Sequence, residues 1–170
     1  MGVSLRESIE LISDPRNLDA SVEEVFRTML GIECRRIEAG VAAGLSAGVG
    51  AYKPESVAAV IGFGGLFSGA CVFRLSSTTA LKIAGHMTGM EFAEIDDTVK
   101  DACGEICNML AGAWKGRVPV LAGHCGLSVP AVITGRDYDI HVQAPEFKVH
   151  HYYAFEDVYF DVTILCDGLK

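Results

Sequence analysis

No stretch of the sequence reaches eighteen consecutive apolar residues, and a spanning helix needs about twenty, so no membrane-crossing helix is expected. Basic clusters are missing too. The formal net charge is −8 and the densest basic spot is the pair Arg35-Arg36, too little for the positive stripe that nucleic acid demands. The start, MGVSLRESIELIS, lacks the positive lead and apolar core of a secretory signal. It opens Met1-Gly2, but Arg6 stands where a myristoylation start carries Ser or Thr. The expected location is therefore the cytoplasm.

Close cysteine pairs are also lacking. The six cysteines, Cys34, Cys71, Cys103, Cys107, Cys125 and Cys166, are scattered through apolar stretches without a C-x-x-C pair. Cys103 and Cys107, four apart on a helix, can in principle present two thiolates to one metal, with His124-Cys125 or His150-His151 as further ligands. The plainer reading is six reduced cysteines acting as small hydrophobes, and no metal is expected.

What is present is a folded chain. Half of the 170 residues are hydrophobic and 21% are charged, the balance of a globular domain with a substantial core.

The chain is organised around Asp97–Lys115, DTVKDACGEICNMLAGAWK. Thr98, with Asp101 three residues on, is the expected helix cap, a variant of the capping box. At about 100° per residue, Val99, Cys103, Ile106, Leu110, Ala113 and Trp114 form an apolar stripe suited to packing on a sheet. Opposite lie Asp101, Glu105, Asn108 and Gly112, with Lys115 at the edge. Glu105 and Asn108 are neighbours at i, i+3. Gly112, a turn further on, offers no side chain to fend off a partner. A Glu and an Asn on an outer helix face are ordinarily just solvated. Yet Asn is a mediocre helix former, and a mid-helix glycine costs roughly 1 kcal/mol against alanine, so both residues suggest another use. A carboxylate and an amide beside bare backbone make a candidate docking and water-positioning site.

Residues 1–18 read as a short amphipathic piece ending at Asp14-Pro15, an arm or a short helix. Ser21 with Glu24 reads as the capping box of a helix that Gly31 is expected to close. Ile32–Glu38 reads as a strand, and 39–51, AGVAAGLSAGVGA, as a flexible glycine-rich loop. A phosphate cradle there would need a following Lys-Ser/Thr or a strand–Gly–helix context, and neither is present. Ser56–Phe63 and Leu66–Leu75 read as a hairpin about a two-residue Gly64-Gly65 turn. A helix follows from Ser76-Ser77-Thr78 to Gly89, then the central helix. After it, 126–134 reads as an edge or bulged strand around Pro130. Arg136–Asp139 reads as a turn, and Ile140–Gln143, Lys148–Phe155 and Val158–Cys166 as strands, the last two joined by Glu156-Asp157. His150-His151 is expected on a strand surface. The order predicts an α+β fold, an antiparallel sheet with helices packed on it.

The glycine-turn hairpin IGFGGLFSGACVFRL at 61–75, and DACGEICN at Asp101–Asn108, resemble the CheC/CheX/FliY-type chemotaxis phosphatases. That family's signature is an Asp or Ser, three residues, Glu, two residues, Asn and a distant Pro. Here the proline is Pro130, in LSVP, after the 21 residues 109–129, one fewer than the family's usual gap. A single Glu-x-x-Asn is similar to the CheX branch. The resemblance implies a phosphatase domain over 19–170 that hydrolyses the aspartyl phosphate of a CheY-like response regulator, with Glu105 and Asn108 as catalytic residues. Asp101, Gly112 and Lys115 are then the expected docking residues. It also implies a receiver domain that brings its own Mg²⁺, no cofactor on this chain, and a homodimer formed through sheet edges. Other members of this fold are flagellar-switch components, so a non-catalytic binding module is the competing expectation.

Overall fold

Along the long strands one set of alternate residues faces the helices and is buried, as a period of two requires of a sheet covered by helices, and over 160–166 the other set is buried as well. The computed structural model describes residues 5–47, 56–136, 141 and 145–169. Within these, the strands are β1 (Arg35–Ile37), β2 (Ser56–Gly65), β3 (Phe67–Ser76), β4 (Cys125–Leu127), β5 (Ala131–Gly135), β6 (Phe147–Phe155) and β7 (Val158–Leu169). They form one antiparallel sheet in the order β1-β6-β7-β3-β2, with β4 and β5 both pairing with β2. The helices are α1 (Leu5–Ile12), α2 (Pro15–Val25), α3 (Ala39–Ala47), α4 (Ser77–Thr88) and α5 (Asp97–Gly116). The class is α+β, as the element order predicts.

α5 is the central helix. Its stripe Val99, Cys103, Ile106, Leu110 and Trp114 is buried against Val57, Ala59, Ile61 and Phe63 of β2 and the neighbouring β3. Trp114 packs between Phe63 and Phe67, with ring centroids 5.2 and 5.5 Å away. Burial of a ring this size stabilises the contact by several kcal/mol. α2 and α4 flank α5 on the same side of the sheet. Ile12 and Leu18, from the N-terminal segment, are buried in the same core.

Several local expectations are corrected. The glycine-rich segment is helical over Ala39–Ala47. Four of its residues are alanine, the best helix former, while Gly40 and Gly44 fall on its exposed side; 48–51 lie outside the described residues. The cap of α5 is Asp96, whose carboxylate accepts from Val99 N–H at 2.9 Å. Aspartate caps as well as Ser or Thr, and Thr98 sits inside the first turn. The hairpin turn is wider than two residues. The last β2–β3 pair is Phe63 with Gly69; β2 runs on past it to Gly65, pairing Gly64 and Gly65 with Gly126 and Cys125 of β4 on its other edge. The expected strand at 32–38 is confined to β1, and Pro130 splits 126–134 into β4 and β5. The turn expected at Arg136–Asp139 and the strand at Ile140–Gln143 lie almost wholly outside the described residues.

His151 is buried, not on the surface. Strand alternation puts it on the helix-facing side with Val149 and Tyr153, where its Nδ1 meets the Asp19 carboxylate at 2.8 Å. Tyr153 donates to the same oxygen at 2.7 Å and Arg36 approaches at 3.3 Å, so the group is satisfied. His150, on the other face, is half-buried against Asp161 at 3.0 Å.

Candidate functional site

The outer face of α5 is a stripe of polar and small residues running the length of the helix. Asp101 and Glu105 are exposed, and Asn108, Gly112 and Lys115 are partly so. Neither the Glu105 nor the Asn108 side chain bonds to another described residue. Their carboxylate and amide face solvent side by side, one turn from Asp101 and one turn from Gly112. Nothing lies within 4 Å of where a Gly112 side chain would begin. Lys115 is differently placed: its Nζ donates to the Cys125 carbonyl at 2.8 Å, tying the end of α5 to β4. An ammonium carries three donors, so two remain for other partners.

The stripe has a rigid base. Asp96 caps one end, and an ion pair from Arg117 to Glu24 of α2 holds the other. Beneath it, Cys107 donates to the Ala59 carbonyl at 3.4 Å. The cysteines serve packing. All six are free and buried, and burial pushes the Cys103 thiol up to about 12. Among the described residues no group of three His, Cys, Asp or Glu is arranged to hold a metal ion.

Sequence reasoning missed how the distant Pro130 reaches the site. Gly104 is buried in α5, and a side chain there would begin 3.6 Å from the Pro130 ring and 3.4 Å from Val132. The sheet edge thus lies close enough that a side chain at Gly104 larger than a methyl would meet it. On the helix surface Gly104 is flanked by Asp101 at i−3 and Asn108 at i+4, so the Pro130 corner borders the polar stripe. The detectable signal was a glycine one residue before Glu105, on the flank of an otherwise well-patterned helix. A second missed feature is Ser128. Its N–H donates to Gly62 O at 2.9 Å, and its hydroxyl accepts from Gly62 N–H at 2.9 Å while donating to Val129 O at 3.0 Å.

Residues 57–152, spanning β2, α5, the Pro130 corner and most of β6, match the family described as chemotaxis phosphatase CheX. This chain belongs to that family. It is 34% identical over 124 residues to the CheY-P phosphatase CheX of Thermotoga maritima, covering 72% of this chain and 76% of the relative. The fold is shared with the chemotaxis protein CheX of Vibrio vulnificus at a TM-score of 0.72 and 20% identity, over 89% of this chain and 94% of the other. It is shared as well with CheX from Borrelia burgdorferi, whose structure was solved as a CheX–CheY–BeF₃–Mg²⁺ complex. There the TM-score is 0.65 and the identity 20%, over 92% of this chain and 99% of the other. The resemblance drawn from DACGEICN and the hairpin therefore stands at family level. No helix among the described residues is long and apolar enough to cross a membrane.

Proposed function

We propose that this CheX-family chain is a protein phosphatase that hydrolyses the aspartyl phosphate of a CheY-like response regulator, and that Glu105 and Asn108 carry the reaction. The observation that supports it most is the unpartnered Glu105–Asn108 pair on the solvent face of a clamped helix, in a chain 34% identical to a CheY-P phosphatase.

Phosphoryl transfer asks the protein mainly to position groups and stabilise charge. The Asn108 amide both accepts and donates, so it orients a water in line with the phosphorus without taking its proton. The Glu105 carboxylate pairs with a cation on the receiver, the active-site lysine in the family pattern, and fixes the approach. Asp101, Gly112 and the two spare donors of Lys115 form the docking surface around them. Mg²⁺ belongs to the receiver in this reading, as it does to the CheY-bound assembly of the Borrelia relative. Six buried free thiols favour a reducing compartment, hence the cytoplasm. The sheet edges are β1 on one side and β4 with β5 on the other. With the Pro130 corner facing the receiver, β1 is the edge left for a homodimer, which sedimentation in solution tests.

The deciding measurement is the decay of a phosphorylated CheY receiver domain with substoichiometric amounts of this protein. Faster decay that disappears in Asn108→Ala and in Glu105→Ala, both with wild-type circular dichroism, is the expected outcome. Unchanged decay despite binding moves the chain to the binding-module class, and undiminished activity in both variants sinks the assignment.

A further inference from the structure

The geometry points to Val129 as the apolar anchor on which the receiver domain docks, a specificity-determining contact for the reaction carried by Asn108. The inference rests on the phosphatase reading.

The edge of the sheet next to α5 does not run evenly. Phe63 pairs with Leu127 and Val60 pairs with Ala131. Between those pairs β2 contributes Ile61 and Gly62, whereas the edge contributes Ser128, Val129 and Pro130. One extra residue on the edge is a β-bulge, a device that re-aims a side chain. Here it turns Val129 out to 85% exposure, the most exposed large hydrophobic among the described residues.

A lone exposed valine is ordinary on a protein surface. This one is held. Ser128 is bonded to both backbone groups of Gly62 and to the Val129 carbonyl, and Pro130 is seated over Gly104. Gly104 lies between Asp101 and Asn108 on the helix surface, and Val129 immediately precedes the proline that sits over it. An apolar contact already fixed in place costs little ordering entropy on binding. A β-branched side chain, stiff about its first torsion, adds to that. The partner surface it fits is an apolar patch bordering a cation: the cation meets Glu105 and the patch meets Val129. Glu105 and Asn108 alone give charge and water positioning but no buried apolar area. Val129 supplies it at the rim.

The test compares wild type, Val129→Ser and Ser128→Ala in steady-state dephosphorylation of a CheY receiver domain. The same proteins are titrated with CheY loaded with BeF₃⁻ and Mg²⁺. Losing a buried valine side chain predicts a KM about ten-fold higher for Val129→Ser, with kcat within about two-fold and affinity for the BeF₃⁻-loaded receiver about ten-fold weaker. Ser128→Ala, which keeps the valine and frees the corner, raises KM by a smaller factor. Unchanged KM and affinity in Val129→Ser overturns the anchor, as does a fall in kcat alone. If wild type binds loaded CheY without accelerating decay, the phosphatase reading fails while the binding comparison still decides Val129. No binding by wild type overturns both. Since Val129 is solvent-exposed, its variant melts with the wild type.

Discussion

Asn108 and Glu105 do their proposed work only if a receiver can come within hydrogen-bond distance of a helix, and two glycines govern that approach from different sides. Gly112 faces open space, so alanine there fits sterically and raises helix stability by up to about 1 kcal/mol. The expected outcome for Gly112→Ala is a higher melting temperature together with a lower kcat/KM. Unchanged kcat/KM removes Gly112 from the docking surface. Gly104 faces the protein. Distances of 3.4 and 3.6 Å to Val132 and Pro130 are ordinary contacts, so Gly104→Ala is expected to fold and keep its activity. Gly104→Leu has no room, and it displaces the Pro130 corner. Loss of dephosphorylation without loss of helical circular dichroism is the outcome that places Pro130 in the site.

Between elements, α5 matters most, because it carries the candidate site on one face and packs into the core with the other. Its cap is Asp96, and Asp96→Ala is expected to cost about 1 kcal/mol in chemical denaturation with kcat unchanged at 25 °C, since the cap lies more than a turn from Glu105. Trp114→Ala, which empties the space between Phe63 and Phe67, is expected to cost about 3–5 kcal/mol. The two faces of this helix were legible in the sequence, because a 20-residue element with strict periodicity carries its own signal. The hairpin and the β6–β7 pair were legible for the same reason. What escaped were features set by non-local contacts. Asp96 is intrinsically the better cap than Thr98, but Thr98 with Asp101 imitates a capping box, and only the position of the first helical turn decides between them. The dipeptide Gly64-Gly65 suggested a tight turn, yet it runs on as strand against β4, sixty residues away. The helix at Ala39–Ala47 escaped because its glycines suggested a loop while its alanines suggested the reverse. Of the candidate site, the placement of Glu105 and Asn108 side by side on the outer face of the helix was readable from spacing, whereas Gly104, Ser128 and Val129 come together only when the sheet edge is laid against the helix.

On the scale of the whole molecule, the core carries an alkaline weakness. Burial pushes the thiols of Cys34 and Cys103 from their ordinary 9.0 up to about 12. Burial and the Asp19 carboxylate raise the Tyr153 phenol as well. Each of these acids stays protonated in the folded state after the unfolded chain has begun to release its proton. Above about pH 9 the folded state therefore binds more protons than the unfolded one, and stability falls as pH rises. Denaturation midpoints measured from pH 7 to pH 11 should be level up to about 8.5 and then decline. Cys34→Ser and Cys103→Ser together should flatten part of that decline. In the native state at pH 8, thiol reagents should label Cys103 only on the timescale of unfolding, since the reactive thiolate is suppressed there.

The bulge at Ser128–Pro130 has a further consequence, for how such a chain can change its partner. Leu127 and Val132 both pack against the core, although five positions separate them and their β2 partners Phe63 and Ala59 are four apart. The extra residue is what restores the parity, so that one side chain is spare in the sense of register. Its identity can vary, and even its deletion leaves Leu127 and Val132 pointing inward through a straightened strand. The contact that chooses the partner is thus uncoupled from the residues that hold the fold. On the proposed role of Val129, exchange of one residue, or a change of one in the length of this edge, is expected to retarget the domain while Glu105 and Asn108 stay where they are.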